Sequence, residues 1–488
     1  MPSTTPNPYL ADNFAPVREE RTEADLPITG TMPEYLDGRY LRIGPNPIGS
    51  PDPSTYHRFM GTGMAHGLRR RGGRAEWYRN RYVRSADVAK TLGERAHPGP
   101  VFAGFDFSPN TNIIGHANRT YAIVEGGGRP YELTDTLDTI GPCDFDGTLP
   151  GGYTAHPLTD PATGELHAVS YFFGWADRVQ YSVIDPTGRV RKTVDIKVGG
   201  SPMIHAFSLT ERHVVIFDLP VTFDAAKAAS SGVPRLLRKP VERIMAGTVG
   251  RRPIPDRVVA LTAGRTLTSG GDATLPYSWN ADYPARVGVM PRDGSDGDTR
   301  WFDVEPCYVY HPFNAYDEGD RIVLDVVRHP RMFATDHRGP SEGPPTLDRW
   351  TIDLNAGKVL EERIDDRGQE FPRIDERLTG RRNRYGYSVG FESGQTSQSL
   401  IKHDLAAGTS ATRTFGAHGE PGEFVFVPAD PDAAEDEGVL IGLVYDGDSD
   451  RSDLVVVDAG TLETVAEAHL PVRVPHGFHG NWVPTSAA

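Results

Sequence analysis

The chain has little cysteine, no excess of positive charge and no long apolar run. Cys143 and Cys307 are the only cysteines in 488 residues, so there is no disulfide framework and a reducing compartment is expected. A formal net charge of −15 excludes broad contact with a nucleic-acid backbone, which needs a basic surface. No apolar stretch approaches the ~18–20 residues that span a bilayer. The opening Met1-Pro2-Ser3-Thr4-Thr5-Pro6 lacks the basic and apolar regions of an export signal. These absences lead to the expectation of a cytoplasmic protein.

What is plentiful is turn chemistry. The sequence holds 53 glycines and 41 prolines beside 38% apolar and 9% aromatic residues. That balance favours many short strands around a sizeable core over long helices. Apolar runs broken by Asp with Gly or Thr recur at Tyr181–Ile196, Trp350–Ile364, Ile401–Phe415 and Leu454–Leu470, and each reads as a β-hairpin. Seven turn markers, Gly72, Asp135, Asp185, Asp293, Asp353, Asp404 and Asp458, are separated by 50 to 63 residues, except for one gap of 108. A period of about 50 to 60 residues, with several short strands per unit, is the mark of β-propeller blades. One closed β domain over residues 1–488 is therefore expected.

The doubled gap holds a helical insert, Asp224–Gly247. Leu236, Leu237, Val241, Ile244 and Met245 alternate there with Arg235, Arg238, Lys239 and Arg243. The spacing predicts short amphipathic turns broken by Pro234 and Pro240. Such a basic, apolar segment serves either as a solvated cover over one propeller face or as a contact with a membrane surface.

A common slot follows the markers. His156 lies 21 residues after Asp135, His205 20 after Asp185, His311 18 after Asp293 and His479 21 after Asp458. The same slot holds Glu370, 17 residues after Asp353, and Glu423, 19 after Asp404. Equivalent positions of successive blades lie equally far from the propeller axis, so these side chains should converge. Four imidazoles and two carboxylates gathered in one dry place are costly to desolvate unless a cation joins them. Nitrogen donors suit Fe, Cu, Zn or Ni over Ca or Mg, and the glutamates suit the role of acceptors for ligand ring N–H groups. In Pro475–Val483 the spacing leaves His476 and His479 both open.

Flanking segments carry a resemblance. RYLRIGPNP (39–47), YHRFMGTGMAHG (56–67), YAIVEGGGRPYELTDTLDTIGPCDFDGTL (121–149), IHAFSLTERHVVIFDLP (204–220), CYVYHPFNAYDEGD (307–320), EFPRIDERLTGRRNRYGY (370–387), GEFVFVP (422–428) and GFHGNW (477–482) occur in order along nearly the whole chain. The sequence thereby resembles the carotenoid cleavage oxygenase family, which includes the stilbene-cleaving dioxygenases. The resemblance implies an all-β, seven-bladed propeller with a helical dome over one face and a non-haem Fe(2+) on its axis. It places the iron-binding histidines at His156, His205, His311 and His479, choosing His479 over His476. It places the second tier of glutamates at Glu125, Glu370 and Glu423. Ile43, Thr62 and Ala206 depart from the family motifs, and none of them removes a ligand.

The implied reaction is insertion of both atoms of dioxygen across one conjugated C=C bond of an apolar polyene, giving two carbonyl products. Relatives that cut hydroxystilbenes resemble one another in a lysine beside the first glutamate. Here that neighbour is Val124, which favours a carotenoid or apocarotenoid over a stilbenoid. A propeller that binds a lipid without catalysis is the further alternative. The expected partners are thus a polyene, dioxygen and a peripheral membrane surface met through 224–247.

Overall fold

A computed structural model describes residues 7–230, 233–262, 275–339, 342–391 and 396–485. The six opening residues and residues 231–232 of the insert lie outside that set. Seven antiparallel sheets are arranged as blades, five with four strands and two with five, and a two-stranded ribbon lies beside them. In the fifth blade the order is Tyr308–Glu318, Arg321–His329, Thr346–Asp353 and Lys358–Asp365 from the inside out. Inner strands of neighbouring blades touch from the fourth blade round to the second, and the seventh blade meets the first, which closes the ring.

Burial along a blade follows from this geometry. Middle strands are covered on both faces, and Leu454-Val455-Val456-Val457 is buried throughout. Such strands read as continuous apolar runs. Outer strands have one wet face, and Val190–Lys197 accordingly alternates exposed and more buried positions. Every marker turn joins the third and fourth strands of its blade. The recurrent Asp works as a turn cap. Asp185 Oδ1 accepts the N–H groups of Thr187 and Arg189 at 2.9 and 3.1 Å, and Asp353 Oδ1 those of Asn355 and Ala356 at 3.0 and 2.8 Å. In these two turns Gly188 and Gly357 supply the left-handed residue, with φ of +85° and +67°.

Both ends of the chain fasten the ring. Gly480–Pro484 pairs with Gly38–Pro45 as the innermost strand of the first blade, and Ile28–Gly30 pairs with Thr464–His469 on the outer edge of the seventh. The doubled gap is an insertion between the second and third strands of the fourth blade, His213–Asp218 and Arg286–Pro291. It carries the ribbon Val221–Phe223 with Tyr277–Trp279 and the helices Ala225–Ser230, Arg238–Thr248 and Asp256–Thr262. The expected break at Pro240 does not occur. Pro240 falls in the first turn of Arg238–Thr248, where its missing N–H would have no helical partner anyway. Val259 of the last helix packs among Phe102, Phe105, Phe172, Phe173 and Trp175, which ties the insert to the loops above the blades.

Candidate metal centre

Each blade sends one side chain to the middle. His156, His205 and His479 stand just before the inner strands Leu158–Thr159, Phe207–Leu209 and Gly480–Pro484, while His311, Glu370 and Glu423 lie within Tyr308–Glu318, Gln369–Arg373 and Gly419–Pro428. Glu125 follows Arg119–Ile123, the second strand of its blade. In three inner strands the pairing register slips at this point, around His311-Pro312, Glu370-Phe371-Pro372 and Pro421-Gly422-Glu423. Proline cannot donate to the ladder, so it is housed at a bulge, and the bulge turns the neighbouring side chain toward the axis. Phe371, at φ +54°, carries the local strain and packs its ring 5.8 Å from His311 and 5.4 Å from His479, centre to centre.

One ring nitrogen from each of His156, His205, His311 and His479 lies within 4.8 Å of the others. Three rings are oriented from behind. Glu125 Oε2 stands 2.9 Å from His205 Nδ1, Glu370 Oε2 2.6 Å from His311 Nδ1 and Glu423 Oε1 3.0 Å from His479 Nδ1. An ionised carboxylate only accepts, so each Nδ1 carries the proton and each Nε2 presents a lone pair. His205 Nε2 and His311 Nε2 face each other at 3.1 Å. Two lone pairs so placed repel unless a cation lies between them. His156 Nε2 is buried with no partner among the described residues. The four nitrogens therefore fit a metal ion of the borderline class.

The electrostatics agree with neutral rings at His156 and His311. Burial, with the neighbouring imidazoles behind it, pushes His156 well below its ordinary value, and burial lowers His311 to about 4 against the pull of Glu370. Burial works to raise Glu423, yet Arg373 and His479 outweigh it and hold the carboxyl at about 2. Glu370 is held low in the same way by His311 and His329. Arg373 Nε bonds Glu423 Oε1 at 2.9 Å, and the Gly480 N–H bonds Glu423 Oε2 at 2.9 Å.

A cavity of about 740 Å³ opens onto His205, His311 and His479. Phe59, Phe107, Val124, Tyr171, Phe173 and Phe478 are among its apolar and aromatic walls. His476 also reaches this wall but stays outside the cluster, bonded through Nε2 to Glu420 Oε2 at 2.6 Å. His329 was not singled out in the sequence. It ends the second strand of its blade, Arg321–His329, and bonds Glu370 Oε1 at 2.8 Å through Nε2. Glu125 occupies the corresponding region of its own blade, so a second register, read at the ends of second strands, finds both.

The fold and site define a propeller with an axial cluster of four imidazoles beneath an apolar cavity. A family model described as retinal pigment epithelial membrane protein matches residues 14–484. The chain is 53% identical to a carotenoid cleavage oxygenase of Mycobacterium tuberculosis, covering 98% of both proteins. It is 30% identical to a carotenoid 9,10(9',10')-cleavage dioxygenase 1 of Pisum sativum, over 99% of this chain and 91% of that one. The structure is similar to a Pseudomonas brassicacearum lignostilbene dioxygenase, with a TM-score of 0.80, 27% identity and 98% of each chain covered. It is also similar to a cobalt-substituted Synechocystis ACO, with a TM-score of 0.79, 26% identity and 96% and 97% covered. This chain belongs to the carotenoid cleavage oxygenase family.

Proposed function

We propose that the chain is a non-haem Fe(2+) dioxygenase that cleaves one conjugated C=C bond of a carotenoid or apocarotenoid to two carbonyl products. The observation that carries this reading is the pair of lone-pair-bearing nitrogens, His205 Nε2 and His311 Nε2, 3.1 Å apart at the floor of an aromatic cavity. His156, His205, His311 and His479 would hold the ion, with Glu125, Glu370 and Glu423 fixing three of the rings. Because every residue in this set comes from a different blade, residues 1–488 act as one domain. Iron bound there would supply the activation of dioxygen. The stoichiometry closes without a reductant: the C=C bond is broken, one oxygen atom goes to each carbon, and no proton is gained or lost overall.

The chain's own side chains supply position and dryness. Phe59, Phe173 and Phe478 exclude water and give a flat conjugated ligand aromatic faces to lie against. Val124 adds an apolar wall beside Glu125, which suits a hydrocarbon chain over a phenol. Leu236, Ile244 and Leu261 of the insert are exposed by 93%, 68% and 77% beside Arg235, Arg238 and Lys239. No helix among the described residues is long and apolar enough to cross a membrane. The insert instead provides a peripheral contact through which a lipid-borne polyene reaches the cavity.

Metal analysis combined with turnover in 18O-labelled dioxygen tests the reading. About one iron per chain and one labelled oxygen in each product from an apocarotenal are expected. Cleavage of a hydroxystilbene alone would move the substrate to the stilbenoid class. Zinc or no metal, with no oxygen uptake on any polyene, would leave a lipid-binding propeller.

A further inference from the structure

One buried cation in the cavity wall has no counter-ion among the described residues. Arg58 opens the short 3-10 turn Arg58–Met60, which lies between Gly38–Pro45 and Gly63–Arg71 of the first blade. It is only 8% exposed, and it lines the same cavity as the histidines. Its guanidinium carbon sits 4.4 Å from the ring centre of Phe14, 5.1 Å from Phe478 and 5.7 Å from Tyr9. Nη2 donates to the Gly477 carbonyl at 3.1 Å. Nε has no partner among the described residues.

The titratable groups that act on Arg58 are the phenols of Tyr9 and Tyr56, which burial keeps neutral at neutral pH, and a second guanidinium, Arg42; no carboxylate is among them. Arg42 is 4% exposed, lines the cavity too, and donates to the Pro475 carbonyl at 3.1 Å. Its Nε is likewise unpartnered among the described residues. Glu423, which also acts on Arg42, is bonded to His479 and Arg373, and Glu420 is bonded to His476. Burial lowers the Arg58 guanidinium to about 10, so it stays charged at neutral pH. Aromatic faces and carbonyl dipoles offset part of the cost of burying a cation, and an anion offsets far more. Arginine is also the side chain whose fork matches a carboxylate.

We propose that Arg58, with Arg42 behind it, is the receptor for a carboxylate at one end of the polyene, so that the preferred substrate is an apocarotenoid acid. This assignment rests on the polyene-cleaving reading. Gly477, which holds Arg58, is two residues from His479, a backbone span of at most ~7 Å. A carboxylate held at Arg58 therefore leaves the conjugated chain running past the imidazole cluster. Phe14 and Tyr9, from the N-terminal segment, complete the wall around the guanidinium.

The test uses the full-length metal-loaded protein and matched ligands: a polyene carboxylic acid such as retinoic acid, its methyl ester, and an apocarotenoid acid with its ester for turnover. Binding is read by quenching of intrinsic fluorescence and turnover as kcat/KM. The wild-type protein should bind the acid at least tenfold more tightly than the ester. In Arg58→Met that ratio should fall to within twofold of unity, and Arg58→Lys should retain part of it. Equal binding of acid and ester by the wild-type protein overturns the proposal, whatever the variants do. Full acid preference in a folded Arg58→Met protein overturns it as well. Selective acid binding without cleavage of any polyene would keep this subsite and remove the oxygenase reading; cleavage without acid preference would do the reverse.

Discussion

Glu370 holds two imidazoles at once: its Oε2 is 2.6 Å from His311 Nδ1 and its Oε1 is 2.8 Å from His329 Nε2. Only the first of these rings belongs to the four-histidine cluster. The carboxylate is thereby fixed in rotation, and His311 cannot turn its Nε2 away from the centre. Removing the charge while keeping the shape, in Glu370→Gln, should lower iron affinity ~10–100-fold. His329→Gln should cost less, because His311 keeps its own acceptor. Competition with a chelator measures both, and wild-type affinity in Glu370→Gln would contradict the assignment.

His311→Ala should abolish iron binding and turnover while the protein stays folded. The fold rests on the cores between blades, such as the one that joins Phe207, Val287, Tyr308, Leu324 and Trp350. Metal content below a tenth of an ion per chain, with a wild-type circular dichroism spectrum, is the expected result. Global unfolding of the variant would mean that the site, and not the blade packing, holds the ring together.

Val124→Lys would place a cation in the apolar wall beside Glu125. The ratio of kcat/KM for a hydroxystilbene over an apocarotenal should rise at least tenfold, as the phenol gains a partner and the hydrocarbon loses a dry contact. An unchanged ratio would show that this wall does not select the substrate.

Reversing Arg235, Arg238 and Lys239 to Glu should detach the insert from anionic membranes. Each basic residue near such a surface is worth about 1 kcal/mol, so the triple reversal should weaken liposome binding by roughly 100-fold or more. Co-sedimentation at wild-type levels would remove membrane contact from the account.

Acid should destabilise the metal-free protein through His57 and His66. Both are buried, and burial lowers each to about 3, against about 6.5 in an unfolded chain. The folded state favours the neutral ring, so this stability is complete above pH ~6.5. It declines as pH falls toward the folded value, by about 1.4 kcal/mol per pH unit for each group. Urea midpoints between pH 7.5 and 5 measure the slope, which His66→Gln should reduce. A flat profile over that range would mean the rings are protonated inside the fold.

The blade period, the turn caps and the inner-strand slot are local properties, and they stand in the order of residues. An Asp that caps a hairpin and an inward-facing His or Glu 17 to 21 residues later recur because each blade repeats one short piece of chain. That is why His156, His205, His311, His479, Glu370 and Glu423 could be read from spacing, whereas Glu125 entered only through family likeness. Its blade departs from the pattern: the helix Ala86–Thr91 and a long loop precede the inner strand Asn112–His116, and the functional carboxylate moves to the second strand. His329 escaped because it stands at the end of a second strand, outside the inner-strand slot.

Spacing could not separate His476 from His479, three residues apart in one loop. Tertiary structure separates them, because bonding to Glu420 holds one in the cavity wall while Glu423 aims the other at the centre. The lack of a counter-ion for Arg58 among the described residues is likewise invisible in a sequence with 66 acidic residues. Composition counts charges, but whether a given cation meets a carboxylate depends on which distant segments close around it, here Phe14, Gly477 and Phe478. Repetition along the chain determined the propeller and most of its centre; the long-range packing of unlike segments decided what each side chain there faces.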